Sequence, residues 1–130
     1  MLRFFALIVL LLCSGLVSAQ QHDTTSYYKV ELYFGLSQNG HRISEKKWQR
    51  FVDGYITPRF PDGMTIIDAN GQWRNKQQKI TKERSKVVVL ICKRGAVTDS
   101  SLSVIKSNYC KLFEQESVTE VDTQVERVAF

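Results

Sequence analysis

Residues 87–92, "VVVLIC", constrain the fold more than any other part of the chain. All of these residues are apolar, so a strand formed here has two apolar faces. Such a strand belongs near the centre of a sheet, where other layers cover both of its faces. The chain must therefore supply neighbouring strands and at least one packed layer.

Three further segments are predicted to be strands. Residues 27–35, "YYKVELYFG", alternate, with Tyr28, Val30, Leu32 and Phe34 on one face and Lys29, Glu31 and Tyr33 on the other. This alternation is typical of a half-buried strand. A second segment starts at "MTIIDA", residues 64–69. The last spans about residues 117–128, with Val121 and Val125 on one face.

Two segments show helical spacing. Ser44 can cap a helix whose apolar stripe is Trp48, Phe51, Val52 and Tyr55. This helix must end near residue 56, because Pro58 disfavours helical geometry at Thr57, the residue before it. Residues 99–101 are predicted to cap a second helix, with the apolar stripe Leu102, Ile105, Tyr109, Leu112 and Phe113.

The order strand, helix, strand, strand, helix, strand predicts an α+β fold of the ferredoxin-like split βαββαβ type. This fold has a four-stranded antiparallel sheet with two helices on one face. The alternative is another two-layer α+β arrangement.

The stretch "RFPDGMTIIDANGQWRN", residues 59–75, concentrates charged and aromatic side chains. Most of it is explained as a proline-pinned turn that leads into a strand. Asn70-Gly71 is then either a two-residue hairpin turn or a glycine bulge inside a strand that runs to Arg74. We favour the bulge, which puts the turn at "NKQQK", residues 75–79, and places Asp68 near Lys86.

The N-terminus has the pattern of a secretory signal peptide. A basic residue, Arg3, precedes a short apolar run, and small residues end at Ala19. We expect cleavage after Ala19, which leaves residues 20–130 as a single domain that is secreted or periplasmic and has no membrane span. A lipid anchor on Cys13 is the alternative, but Leu12 before it is not small.

The two cysteines of the mature chain are not expected to form a disulfide. Cys92 ends a strand, whereas Cys110 lies about 11 residues into the following helix, roughly 16 Å along its axis. A disulfide needs α-carbons about 5.5 Å apart. Both cysteines are predicted to be small, buried apolar residues.

Lys and Arg are concentrated in residues 42–94 of a chain whose formal net charge is +5. A basic region can meet an anionic partner, such as an envelope polymer. Most of these residues fall on a predicted solvated helix face or in a turn, and export disfavours a nucleic-acid partner. We therefore expect no nucleic-acid binding.

The sequence contains no motif for a known catalytic or cofactor site. Its histidines are His22 and His41, far from any Cys set suited to zinc or haem. No Gly-x-Ser-x-Gly elbow and no phosphate-binding glycine loop is present. No cofactor and no metal are expected, and no catalytic residue is assigned.

The sheet face away from the helices is the best candidate for a site. It mixes apolar residues with Glu and Tyr, and a second copy often covers this face in ferredoxin-like domains. The enclosed space could hold a carboxylate whose pKa burial raises, or Glu31 could simply pair with Lys86. The candidate binding residues are Glu31, Tyr33, Arg59, Asp68, Trp73, Arg74, Glu83 and Lys86.

Several segments in combination resemble a family of secreted bacterial proteins, the domain of unknown function 3574 family. The resemblance spans roughly residues 28–130. It is carried by "ELYFG" (31–35), Trp48, "TPRFPDG" (57–63), "IDANGQWR" (67–74), "ERSKVVVL" (83–90) and "FEQESV" (113–118). It implies export and a compact α+β domain, and it implies no activity.

Two functional hypotheses follow. The first is a homodimeric ligand-binding or interaction protein, whose ligand is a small molecule or an anionic envelope component. The second is a small cofactor-independent enzyme with an acidic pocket on the open sheet face. The absence of a nucleophile constellation favours the first.

Overall fold

The computed structural model describes residues 26–75 and 77–129. The predicted signal peptide, its cleavage site at Ala19, Cys13 and His22 lie outside the described residues. The elements in chain order are β1 (Tyr27–Gly35), β2 (Ser37–Gln38), β3 (His41–Arg42), α1 (Glu45–Phe51), a π-helical turn (Val52–Ile56), β4 (Thr65–Arg74), β5 (Ile80–Lys93), α2 (Ala96–Phe113) and β6 (Thr119–Val125).

The main sheet has four antiparallel strands in the order β4-β5-β1-β6. Both helices pack on one of its faces, so the predicted ferredoxin-like α+β fold is confirmed. The apolar strand β5 is central, as its two-sided apolar pattern requires. Its last residues pair with β1 on one side, and its first residues pair with β4 on the other.

The core lies between the sheet and the helices. Val30 and Leu32 of β1 stand opposite Leu90 and Val88 of β5, and all four are fully buried. Trp48 of α1 is only 1% exposed, which confirms its predicted place in the core. Aromatic rings fill the centre, where the ring centroid of Phe34 lies 5.2 Å from that of Trp48 and 4.7 Å from that of Tyr109.

The helical segment formed by α1 and the π-helical turn begins and ends where the sequence predicts. The Ser44 hydroxyl accepts a hydrogen bond from the Lys47 N–H, which satisfies one of the free donors of the first turn. The helix continues into the π-helical turn and stops at Ile56. The N–H of Thr57 donates to the Val52 carbonyl at 2.9 Å and closes this last turn before Pro58.

The region around Asn70-Gly71 contains neither a hairpin turn nor a bulge. Asn70 pairs with Arg84 and Gly71 with Glu83 in a one-to-one register that continues to Arg74. The preference for a bulge was therefore wrong. The turn does lie within residues 75–79, where the Asn75 N–H donates to the Lys79 carbonyl and Gln78 has a positive φ.

The start of α2 and the length of β6 also differ from prediction. Helix α2 begins at Ala96 rather than at residues 99–101, because Gly95 supplies the extended N-cap and its carbonyl accepts from the Asp99 N–H. Strand β6 spans only Thr119–Val125, because its pairing with β1 covers only Tyr27–Tyr33.

Arg94 links the first turn of α2 to β6 through ion pairs. Its guanidinium lies 2.8 Å from Asp99, 3.0 Å from Glu120 and 3.2 Å from Asp122.

Cys92 and Cys110 are both free and partly buried, and burial raises the pKa of the Cys92 thiol.

The register decides which residues of β5 face away from the helices. Val88 and Leu90 face the core, while Val87, Val89 and Ile91 belong to the opposite face. This opposite face, which we call the open face, also carries Glu31 and Tyr33 of β1, Ile67 of β4 and Val121 of β6. Several of its large side chains are 40–48% exposed, namely Tyr33, Ile67, Ile91 and Val121.

Candidate functional site

A cavity of about 620 Å³ lies at one end of the open face, which we call the Glu83 cavity. It is bounded by the ends of β1, β4 and β5 and by the residues that follow α2. Three of the predicted binding residues line it, namely Tyr33, Trp73 and Glu83. The sequence therefore identified part of this cavity, but it did not indicate its other wall.

Two glycines leave room for the Glu83 side chain. Gly71 stands directly opposite Glu83 on β4, and Gly35 ends β1 on the other side. A Cβ atom added to Gly35 would overlap Oε1 of Glu83 and would lie 3.1 Å from Oε1 of Gln115. Gly35 does not have a positive φ, so a larger residue here would displace the Glu83 carboxyl and would not strain the backbone.

Glu83 is a partly buried carboxyl without a cationic partner among the described residues. Burial raises the pKa of Glu83. Tyr109 reaches the same region from the helix side, and its hydroxyl donates to the Gly35 carbonyl at 2.6 Å. The pKa of Tyr109 is raised, first by burial and then by the negative charge of Glu83, so the carboxyl lies close to this hydrogen bond.

The second wall of the cavity is the segment from Glu114 to Thr119. Glu114 ends α2 in the left-handed conformation, with φ of 51°, which turns the chain towards the sheet. Its carboxylate accepts a hydrogen bond from the Asn39 side chain, and the Gln115 amide donates to the Ser37 carbonyl. These bonds fix the wall against the small β2–β3 hairpin. The sequence gives one signal for this wall, the acidic run in "FEQESV" after the helix.

Glu31 lies outside the cavity, between Val89 and Val121 on the open face. Its carboxylate lies 3.3 Å from the Lys29 ammonium, which is the next residue but one on the same face. The predicted alternative, a pair with Lys86, was wrong, because Phe34 stands opposite Lys86 in the register and Lys86 faces the helices.

Asp68 and Lys86 lie together on the helix side of the sheet. They are direct cross-strand neighbours, and the Lys86 ammonium lies 2.8 Å from Asp68 and 3.0 Å from Glu45 of α1. The prediction that Asp68 lies near Lys86 is confirmed. The hydrogen bond from Lys86 lowers the pKa of Asp68, and the hydrogen bonds to Asp68 and Glu45 raise the pKa of Lys86. This cluster is fully paired and ties α1 to the edge of the sheet.

Arg59 and Arg74 also lie apart from the Glu83 cavity. The Arg59 guanidinium donates to the Tyr55 carbonyl at 2.8 Å and lines a separate cleft of about 310 Å³ with Phe60 and Lys93. Arg74 ends β4 beside the turn and lines a shallow depression next to Trp73. The structure therefore brings three of the eight candidate residues together at the Glu83 cavity and leaves the other five outside it.

The basic residues of α1 lie on its solvent-exposed side, as expected for a solvated face. Lys46, Lys47 and Arg50 are all exposed.

Within residues 26–75 and 77–129, no three His, Cys, Asp or Glu side chains are grouped as metal ligands. No helix in the same part of the chain has the length and hydropathy that crossing a bilayer requires.

Comparison with known proteins places the chain in a family and identifies similar folds. Residues 29–130 match the family described as Protein of unknown function (DUF3574), so the chain belongs to that family. No curated protein matches the chain.

Two solved structures share the fold. The chain is similar to a phage SAM lyase in complex with S-methyl-5'-thioadenosine, with a TM-score of 0.56 and 15% identity over 75% of this chain and 81% of the other. It is also similar to a phage SAM lyase in the apo state, with a TM-score of 0.53 and 12% identity over 80% of this chain and 94% of the other.

Proposed function

We propose that this member of the family is an exported, homodimeric protein that binds a small molecule in the Glu83 cavity. The observation that carries the proposal is the geometry of Glu83. Its carboxyl faces a cavity that is lined by two aromatic residues, Tyr33 and Trp73. Burial disfavours the ionised form of this carboxyl, and no cation lies beside it among the described residues. Cavities of a few hundred Å³ with a few convergent polar groups are typical of ligand sites.

The apolar character of the open face supports a homodimer. Ile67, Ile91 and Val121 are each more than 40% exposed on a face that also carries Val89. Contiguous exposed apolar surface of this kind marks interaction sites. A second copy placed over the open face would cover these side chains and would also roof the Glu83 cavity, which shares the face with them.

Export rests on the N-terminal sequence. The basic residue, apolar run and small residues that end at Ala19 have the arrangement that signal peptidases recognise.

Ligand-observed NMR tests the binding proposal. A library of small aromatic, nucleoside and amine compounds is screened against wild-type protein and against Trp73→Ala. We expect a set of compounds whose signals broaden with the wild type and not with the variant, because Trp73 forms a wall of the cavity. Compounds that bind both proteins equally, or a library without any binder, would contradict the proposal.

A small enzyme is the second candidate, and a specific observation favours it. A carboxyl whose pKa is raised by burial can act as a general acid or base. The similar solved structures are lyases that act on SAM, which shows that this fold can hold such chemistry. The fold alone does not determine the reaction.

Chromatography distinguishes the enzyme from the binding protein. SAM is incubated with wild-type protein and with Glu83→Gln, and formation of S-methyl-5'-thioadenosine is followed. Product formed by the wild type and lost in Glu83→Gln would support the enzyme. Equal background rates in both proteins would exclude this reaction and leave the binding proposal intact.

A further inference from the structure

The Glu83 cavity has an uneven charge that defines what it can bind. Its lining includes three carboxyl groups, those of Glu83, Glu114 and Glu116, and a single cationic side chain, Lys82. Lys82 belongs to the helix side of the sheet, because side chains alternate along β5 and Lys82 shares the face of Lys86. The carboxyl of Glu114 is engaged by Asn39. Glu116 is exposed to solvent, so Glu83 remains as the partly buried anion that faces the cavity without a cationic partner among the described residues.

The Glu83 carboxyl lies at the floor of the cavity, beside Gly35. Gly35 has no side chain, and the space beside it is occupied by Oε1 of Glu83 and Oε1 of Gln115. The Gln115 amide nitrogen donates to the Ser37 carbonyl, which orients its oxygen. Two acceptor oxygens thus converge at one position, and neither Gly35 nor Gln115 supplies a positive charge.

Aromatic rings complete the arrangement. Trp73 is the diagonal neighbour of Glu83 on the open face, about 7–8 Å away between α-carbons. Trp73 is 44% exposed and Tyr33 is 40% exposed, and both side chains line the cavity. An aromatic face attracts a cation within about 6 Å, and more strongly where water is excluded.

We infer that the Glu83 cavity recognises a ligand that carries a fixed positive charge beside a planar ring, such as a quaternary ammonium or sulfonium compound. Glu83 and the Gln115 oxygen hold the cationic group, and Trp73 stacks on the planar part. The inference rests on the proposed function, because it names the ligand class of that same cavity. A neutral ligand leaves the Glu83 anion uncompensated, whereas a cation supplies the missing partner through Coulomb attraction.

A matched pair of probes tests the charge alone. The compound (4-hydroxyphenyl)trimethylammonium and its neutral isostere 4-tert-butylphenol have nearly the same shape. Calorimetric titrations of both compounds are run with wild-type protein, Glu83→Gln and Glu83→Asp. Glu126→Gln is the control variant, because it removes one carboxylate at an exposed position that does not line the cavity.

We expect the wild type to bind the cation at least about tenfold more tightly than the phenol. Glu83→Gln should remove this preference, Glu83→Asp should keep part of it, and Glu126→Gln should leave it unchanged. Circular dichroism confirms that each variant is folded.

The outcomes separate the inference from the proposed function. Equal binding of both probes, weakened by Trp73→Ala, would overturn the charge preference and leave the cavity as a ligand site. Equal loss of preference in Glu126→Gln and Glu83→Gln would show a general electrostatic effect and also overturn the inference. Failure of both probes to bind would count against the inference and the proposed function together.

Discussion

Ile67→Asp tests whether the open face joins two copies of the chain. Ile67 lies in one row across the sheet with Val87 and Tyr33, and it is 48% exposed in the single chain. Because its side chain already projects into solvent there, the change should leave the monomer folded. In a dimer over the open face, the same position would be covered.

The expected effect on the dimer follows from that exposure. Full burial of an Ile side chain stabilises by about 1.5–3 kcal/mol, so covering the remaining half contributes about 1 kcal/mol per copy. A covered carboxylate without a partner costs at least about 1 kcal/mol more. A symmetric interface contains the change twice, which gives at least about 4 kcal/mol, or roughly a thousandfold weaker dimer.

Ile80→Asp is the matched control. Ile80 lies on β5 next to the turn and is 53% exposed. It faces the helix side of the sheet, because side chains alternate along a strand and Ile80 therefore shares the face of Lys86. Sedimentation velocity at micromolar concentration should show dimers for the wild type and Ile80→Asp and monomers for Ile67→Asp. A monomeric wild type, or an Ile67→Asp protein that stays dimeric, would refute the reasoning.

Three other predictions concern the core, the carboxyl in the cavity and export. Trp48→Ala should lower the free energy of unfolding by about 3–5 kcal/mol, because Trp48 packs against Phe34 and Tyr109; a loss below about 1 kcal/mol in urea denaturation would contradict the assigned helix face. The raised pKa of Glu83 means that folding favours its protonated form. Ionisation of Glu83 therefore destabilises the native state above its folded pKa, and this penalty disappears as the pH falls towards the ordinary value of 4.5. Glu83→Gln should therefore be more stable than the wild type at pH 7, and the difference in unfolding free energy should shrink towards pH 4; a constant difference would rule out this linkage. Intact mass of the protein from its native host should correspond to a chain that starts at Gln20, and a chain that retains Met1 would contradict export.

The sequence predicted the fold well because its strongest patterns are local and agree with each other. The apolar run in β5 required a central strand, and the alternation in β1 placed Val30 and Leu32 on the core side. The stripe of α1 placed Trp48 in the core. These assignments depend only on the periodicity of helices and strands.

The predictions that failed depend on register, which local patterns do not specify. Asn70-Gly71 looks like a turn, but pairing with Arg84 and Glu83 holds it in an extended strand. The same pairing places Asp68 and Lys86 on the side opposite to Glu83. An ion pair between Glu31 and Lys86 was excluded because β1 and β5 are offset so that Lys86 meets Phe34.

The cavity was only partly predictable for a similar reason. Tyr33, Trp73 and Glu83 could be found because they are polar or aromatic residues on strands of the open face. The wall from Glu114 to Thr119 depends on how the chain turns after α2. That turn is fixed by long-range bonds to the β2–β3 hairpin, and no periodic pattern encodes them.

A two-dimensional NMR titration tests the Glu83 cavity as the binding site most directly. The chain contains two tryptophans, so its spectrum has two indole N–H signals, one from the buried Trp48 and one from Trp73 in the cavity. On addition of (4-hydroxyphenyl)trimethylammonium, the Trp73 signal and the backbone signals of Gly35 and Gly71 should shift, while the Trp48 signal should stay in place. Shifts confined to the cleft around Arg59, or an unchanged Trp73 signal at saturating probe, would contradict the account.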